Sequence, residues 1–316
     1  MLGAGGVLGA AWTIGALSAL EELEGFEAGS CDHIVGTSAG SVLAALLGAG
    51  VRVSDLLDDQ LGRVVRDGPL AGYTYDHDRA TGGALPTLPR PRMGSSRLLM
   101  RAVRHPRSVT PLAAASSLLP TGRGSLWTVR HLVDAMSPVG QWSPHAGVWI
   151  VAMDYDSGRR VAFGKPGEPE AELAEAVLAS CSIPAWYAPM TISGRRYIDG
   201  GTCSPTSLDL LAGLGLDEVF VLAPMCSFEY DEPASMGARV ERSFRRTVTR
   251  RMVREAGKVR SGGTQVTLVG PGREDLEAIG ANLMDPTRRA SVVETSLRTS
   301  ADSLQRARDD EMSWTA

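Results

Sequence analysis

The stretch His33–Leu47, HIVGTSAGSVLAALL, constrains this chain more than any other part of it. "HIV" reads as the end of a buried strand, Gly36–Gly40 as a sharp turn, and SVLAALLGAG as a helix closed by glycine. A strand that enters a helix through so tight a turn holds the central residue at the sheet's carboxyl end. It also sets that residue at a helix amino terminus, where developing negative charge is favoured. Ser38 is that residue. With 36 glycines among 316 residues, the spacing G-x-S-x-G arises by accident in roughly a third of chains of such composition. The reading of Ser38 as a nucleophile therefore rests on the strand, turn and helix around it, with Gly36 and Gly40 supporting the turn. The alternative is a small residue in a tight turn.

A chain 43% hydrophobic and 22% charged has ample material for a core. The expectation is a single domain over 1–316, with an insertion or lid at 67–124 and a mainly helical part at 235–316. A formal net charge of -4 argues against a nucleic-acid binder. The cysteines Cys31, Cys181, Cys203 and Cys226 show no C-x-x-C spacing, and no paired histidines accompany them. They read as free thiols of a cytoplasmic protein, with neither disulfide nor metal site. Two uncharged runs, Met1–Leu20 and Ile34–Val51, match membrane spans in length. Five glycines interrupt the first and the turn lies in the second, so both read as core.

Along the chain, a glycine loop precedes a helix over Ala10–Glu24, and Trp149–Gly164 reads as a hairpin about Asp156-Ser157-Gly158. AELAEAVLASCSIP is a helix stopped by Pro184, RRYIDGG a strand running into a turn, SLDLLAGLG a helix, and DEVFVLAP and TQVTLVGP buried strands. Arg239–Arg260 is a helix with Val240, Phe244, Val248, Met252 and Ala256 on its packed face, and Glu274–Arg308 reads as further helix. This alternation predicts an α/β fold, a central mostly parallel sheet flanked by helices. The expectation includes a first strand missing before Gly3, where only Met1 and Leu2 precede the glycine loop.

Between Asp67 and Gly124, seven prolines break any long element. From Leu85 to Gly124 there are seven arginines and no acidic residue. RLLMRAVR sets Arg97, Arg101 and Arg104 on one helical face and Leu99, Met100 and Val103 on another, as in a short basic amphipathic helix. Two readings stay open: a surface flap over the core, or a lid making peripheral membrane contact through 85–124.

A serine nucleophile needs a base. The histidines are His33, His77, His105, His131 and His145, with none beyond. A triad of Asp76, Asp78 or Asp134 with His145 would draw on the irregular insertion or its border. Asp199 is the stronger partner, because it ends a strand and Gly200-Gly201 free the backbone to present its carboxylate. Desolvation beside the serine raises a carboxylate's proton affinity enough for general-base work. The plainer alternative is an Asp that caps its own turn. LGAGGVLGAAW, Leu2–Trp12, opens backbone N–H groups at a helix start. One reading is a dinucleotide loop with Glu21, Glu22 or Glu24 as ribose partner, but G-x-G-x-x-G fails at Leu8. The other is an oxyanion hole.

GAGGVLGAAWTIGALSALEE, IVGTSAGS, ASCSIPAWYAP and YIDGG, in this order, resemble the patatin-like phospholipase family. The resemblance covers most of the chain outside the insertion. It implies a Ser-Asp dyad of Ser38 as nucleophile and Asp199 as general base, with Gly200 and Gly201 supporting the aspartate. It implies an oxyanion hole at Gly5, Gly6 and Val7, and hydrolysis of a lipid or fatty-acyl ester with no cofactor. Family members usually carry a basic residue where this chain has Leu8, and glycine where it has Ala4. Trp186 and Tyr187, in the loop before the Asp199 strand, line an acyl pocket or pack in the core. The rival from another class is a lipid- or nucleotide-binding regulatory protein that keeps the fold without turnover.

Overall fold

The computed structural model describes residues 1–77, 85–228 and 236–315. The chain opens with α1 (Gly6–Glu24), β1 (Ile34–Thr37), α2 (Ala39–Gly48) and α3 (Val53–Gln60). The insertion carries β2 (Arg90–Met93), α4 (Ser96–Arg104), α5 (Pro111–Ser116), β3 (Pro120–Thr121) and then α6 (Trp127–Met136). Next come β4 (Val148–Asp154), β5 (Arg160–Phe163), α7 (Leu173–Cys181), β6 (Met190–Ile192), β7 (Arg195–Asp199) and β8 (Glu218–Leu222). The last part holds α8 (Met236–Arg260), β9 (Gln265–Val269), α9 (Arg273–Ile279) and α10 (Arg289–Thr315).

β4 is the organising strand. All seven of its residues are buried, as expected of an apolar run covered on both faces. It pairs with β1 in parallel and with β5 and β7 antiparallel, while β6 pairs β7. The register places these neighbours. Ile150 and Val151 pair with both β1 and β5, so those two flank opposite edges. Ala152 and Met153 pair with both β5 and β7, so β7 continues the edge that β1 occupies. β1 and β7 therefore run toward each other along one edge of β4. β1 ends at Thr37 opposite Val151, and β7 ends at Asp199 opposite Ala152, the adjacent rung.

Met1 and Leu2 join the sheet through one rung. Leu2 N–H donates to Val35 O at 2.7 Å, and Leu222 N–H donates to Met1 O at 3.0 Å. Leu2 thus bridges β1 and the parallel pair β8–β9, and the sheet is mixed rather than uniformly parallel. One apolar core lies among α1, α2, α6 and α7 on one side of it. A second lies beneath β8, β9 and α8, and a third beneath α4 and α5.

Several local expectations change. SLDLLAGLG forms only a 3₁₀ turn, Leu208–Leu211, because Ala212 is extended and Gly213 and Gly215 take φ of 80° and 71°. Helix 274–308 is two helices, interrupted between Gly280 and Pro286. On α8, Val248, Met252 and Ala256 are buried, whereas Phe244 is 40% exposed. On α4 the sequence left the packed face open; the structure packs Leu98 with Ala102, while Met100 and Val103 point to solvent. The four cysteines are free thiols. Among the described residues, no helix is long and apolar enough to cross a membrane.

Candidate active site

Ser38 sits one residue beyond β1 and caps α2, with φ 54° and ψ -120°. A non-glycine residue keeps such a conformation only when its surroundings hold it there. Its N–H donates to Ser180 Oγ at 2.8 Å, and Ser180 Oγ donates to Val151 O at 2.6 Å. The Ser180 hydroxyl thus carries the ladder with β4 one step past the point where β1 turns away. Ser38 O accepts from Ser41 Oγ at 2.6 Å and from Cys181 Sγ at 3.4 Å. Gly40 is required by crowding, since a Cβ there would lie 2.2 Å from Leu2 O; a Cβ at Gly36 would strike Gly40 O at the same distance.

Asp199 arrives from the other direction. Its carboxylate is buried and accepts from Gly201 N–H at 2.7 Å, while its own N–H donates to Ser182 O at 3.0 Å. A Cβ at Gly200 would lie 2.4 Å from Val151 O, so the turn passes over the rung where β1 ends. Burial pushes the Asp199 carboxyl up from 3.8 to about 6, against the opposing pull of the Ser38 side chain and the Gly201 amide. The segment after this turn is tied down by Glu255 of α8. Its buried carboxylate accepts from Ser204 Oγ at 2.7 Å, Thr206 Oγ1 at 3.0 Å and Leu208 N–H at 3.0 Å.

Ser38 opens onto a cavity of about 120 Å³. Its walls are mostly apolar: Val7, Ala10 and Ile14 of α1, Val42, Leu43 and Leu46 of α2, and Leu126, Val129 and Leu132 along α6, with Asp59, Gln60, His77 and Arg289 also on the lining. Tyr187 lines it and Trp186 does not. Gly6 and Val7, the first residues of α1, line it beside Ser38, and Gly5 caps the helix. Leu8 N–H is taken by Leu283 O at 3.0 Å, but the amides of Gly5, Gly6 and Val7 have no partner among the described residues. Free amides at a helix start are suited to a developing oxyanion. The thiol of Cys181 also faces the cavity, and burial pushes it up to about 12, so it stays protonated.

The other candidates lie elsewhere. His145 Nδ1 accepts from Gly147 N–H at 3.0 Å at the far end of β4, outside the cavity. Asp134 pairs with Arg130 at 3.2 Å, and Asp78 lies outside the described residues. Of the ribose-partner candidates, Glu21 accepts from Ala28 N–H at 2.6 Å and Glu24 pairs with Arg308. Sequence reasoning missed three participants. Ser180 sits in an apolar helix with nothing to mark it, and Glu255 in a basic one. His77, at the cavity wall, bonds Asp59 at 2.8 Å across a gap of 18 residues.

Comparison with known proteins gives this geometry a family. No curated protein matches the chain. Among solved structures, VipD from Legionella pneumophila is similar over 96% of this chain and 66% of its own, with 14% identity and a TM-score of 0.44. The chain thus spans just under two thirds of that structure's length. The family described as patatin-like phospholipase matches residues 1–212, which include the glycine loop, Ser38 and Asp199. The chain belongs to the patatin-like phospholipase family.

Proposed function

We propose that the protein hydrolyses a lipid or fatty-acyl ester through an acyl-enzyme on Ser38, with Asp199 as the base. The observation that carries this reading is the meeting of two opposed strand ends on adjacent rungs of β4. One presents a strained serine at a helix start, and the other a buried carboxylate with a raised proton affinity. Asp199 takes the proton as Ser38 Oγ attacks the ester carbonyl, and the amides of Gly5, Gly6 and Val7 receive the oxyanion. The proton then passes to the departing alcohol. Water activated by Asp199 releases the fatty acid and restores Ser38. The apolar cavity takes the acyl chain, and its walls exclude water from competing contacts.

The test is turnover of a chromogenic fatty-acyl ester. Ser38→Ala should abolish it, and Asp199→Asn should lower it by about a hundredfold to ten-thousandfold, the range for loss of a general base. Both proteins should keep the far-UV circular dichroism of the parent. Wild-type rates from either variant refute the dyad. Loss of acylation in His77→Gln, with activity kept in Asp199→Asn, would move the base to the His77–Asp59 pair.

A further inference from the structure

Exposed apolar side chains are not spread evenly over this protein. Of the seventeen large ones exposed among the described residues, nine fall between Leu85 and Trp127. On α4, Val103 is 75% exposed and Met100 is half-exposed, both turned away from the packed Leu98. Met93 of β2 and Leu118 and Leu119 before β3 are exposed as well, and they are close in space. Met93 pairs with Pro120, and a Cβ at Gly94 would lie 2.9 Å from Leu119 O. Trp127, 65% exposed, begins α6.

Arginines surround these side chains. Arg97, Arg101, Arg104, Arg107 and Arg123 are exposed, and no acidic residue occurs from Leu85 to Gly124. A carboxylate that reaches this surface, Asp156, is engaged by Arg196, by Ser95 Oγ at 2.8 Å and by Arg97 at 3.7 Å. The whole protein is anionic, so the cationic character is local. Aliphatic side chains held in water beside arginines match a lipid interface, where the chains enter the acyl region and the guanidinium groups meet phosphate. Nucleic acid would satisfy the charge but leave Met100, Val103 and Leu119 without a partner.

We propose that the surface formed by α4, β2, β3 and the first turn of α6 docks on an anionic lipid bilayer. The surface borders the cavity. Leu126 lines the cavity wall, and Trp127, the next residue, faces outward. Docking there would bring the wall of the acyl cavity to the membrane, and this last step rests on the hydrolase reading. Bilayer binding itself does not.

The experiment is cosedimentation with phosphatidylcholine vesicles that contain or lack phosphatidylserine, using the wild type and the Ser38→Ala protein so that binding is read without turnover. Binding should need phosphatidylserine and weaken with salt. Arg101→Glu/Arg104→Glu/Arg107→Glu should weaken it by about a hundredfold or more, because each basic residue lost near an anionic surface is worth about fivefold and the introduced carboxylates add repulsion. Met100→Asn/Val103→Asn should weaken it without changing its salt dependence. Both variants should keep wild-type turnover of a soluble short-chain ester. Equal binding to neutral vesicles, equal binding by the charge-reversed protein, or retention of an RNA oligonucleotide in place of vesicles would overturn the proposal. Vesicle binding with no ester turnover by the wild type would leave the docking surface standing and remove the hydrolase reading.

Discussion

Replacing Asp199 by asparagine should make the protein more stable while lowering its activity, and the size of the gain depends on pH in a calculable way. The carboxyl is raised from 3.8 to about 6 in the folded chain, chiefly by burial. A rise of about two units corresponds to roughly 3 kcal/mol. The sign follows from proton binding. Between about pH 4 and pH 6 the unfolded chain has released this proton while the folded chain retains it, so stability falls as pH rises through that window. Below about pH 4 both states are protonated and the cost vanishes; above about pH 6 it is complete. Asparagine keeps an oxygen to accept from the Gly201 amide but cannot ionise. Urea unfolding of both proteins at a series of pH values isolates the effect. The stability of Asp199→Asn relative to wild type should grow by about 3 kcal/mol from pH 4 to pH 7. A difference that stays constant over that range would show that the carboxyl ionises alike in both states, and the argument for a desolvated base would fall.

The same carboxyl sets the acid limb of catalysis. In wild type, kcat/KM should fall below about pH 6 with unit slope, since the protonated acid cannot accept a proton from Ser38; a profile unchanged down to about pH 4.5 would exclude this base. Ser180→Ala leaves the buried Ser38 N–H without its acceptor, at a cost of about 1–3 kcal/mol. Thermal melting reads the loss and ester turnover reads the displaced nucleophile. Ser180→Thr, which keeps the hydroxyl, should recover most of both, and a Ser180→Ala protein equal to wild type would refute the positioning role. Gly40→Ala drives a methyl group to 2.2 Å from the backbone oxygen of Leu2, and should destabilise the protein by about 4 kcal/mol or more in urea unfolding.

The elbow was legible because a strand, a serine turn and a helix adjoin in sequence, and Asp199 because its strand ends at two glycines. What brings the two together was not legible. Their meeting depends on β1 and β7 sharing an edge of β4, pairings between residues far apart in the chain that no local pattern encodes. Ser180 escaped notice for the same reason: a serine in an alanine-rich helix is unremarkable until its hydroxyl is found between Ser38 N–H and Val151 O. The helical reading of 207–215 overrated leucine periodicity against two glycines at positive φ. On α4 the pattern gave the two faces but left open which of them the fold covers. Periodicity gives the separation of two faces but not which one the fold covers, and here Leu98 packs while Met100 and Val103 remain in water.

The central claim is that Ser38 becomes acylated. Reaction with a fluorophosphonate probe, followed by proteolysis and mass spectrometry, reads this directly. The adduct should sit on Ser38, vanish in Ser38→Ala, and form more slowly in Asp199→Asn. A wild-type protein that is folded yet unlabelled, or one labelled equally after Ser38→Ala, would contradict the account.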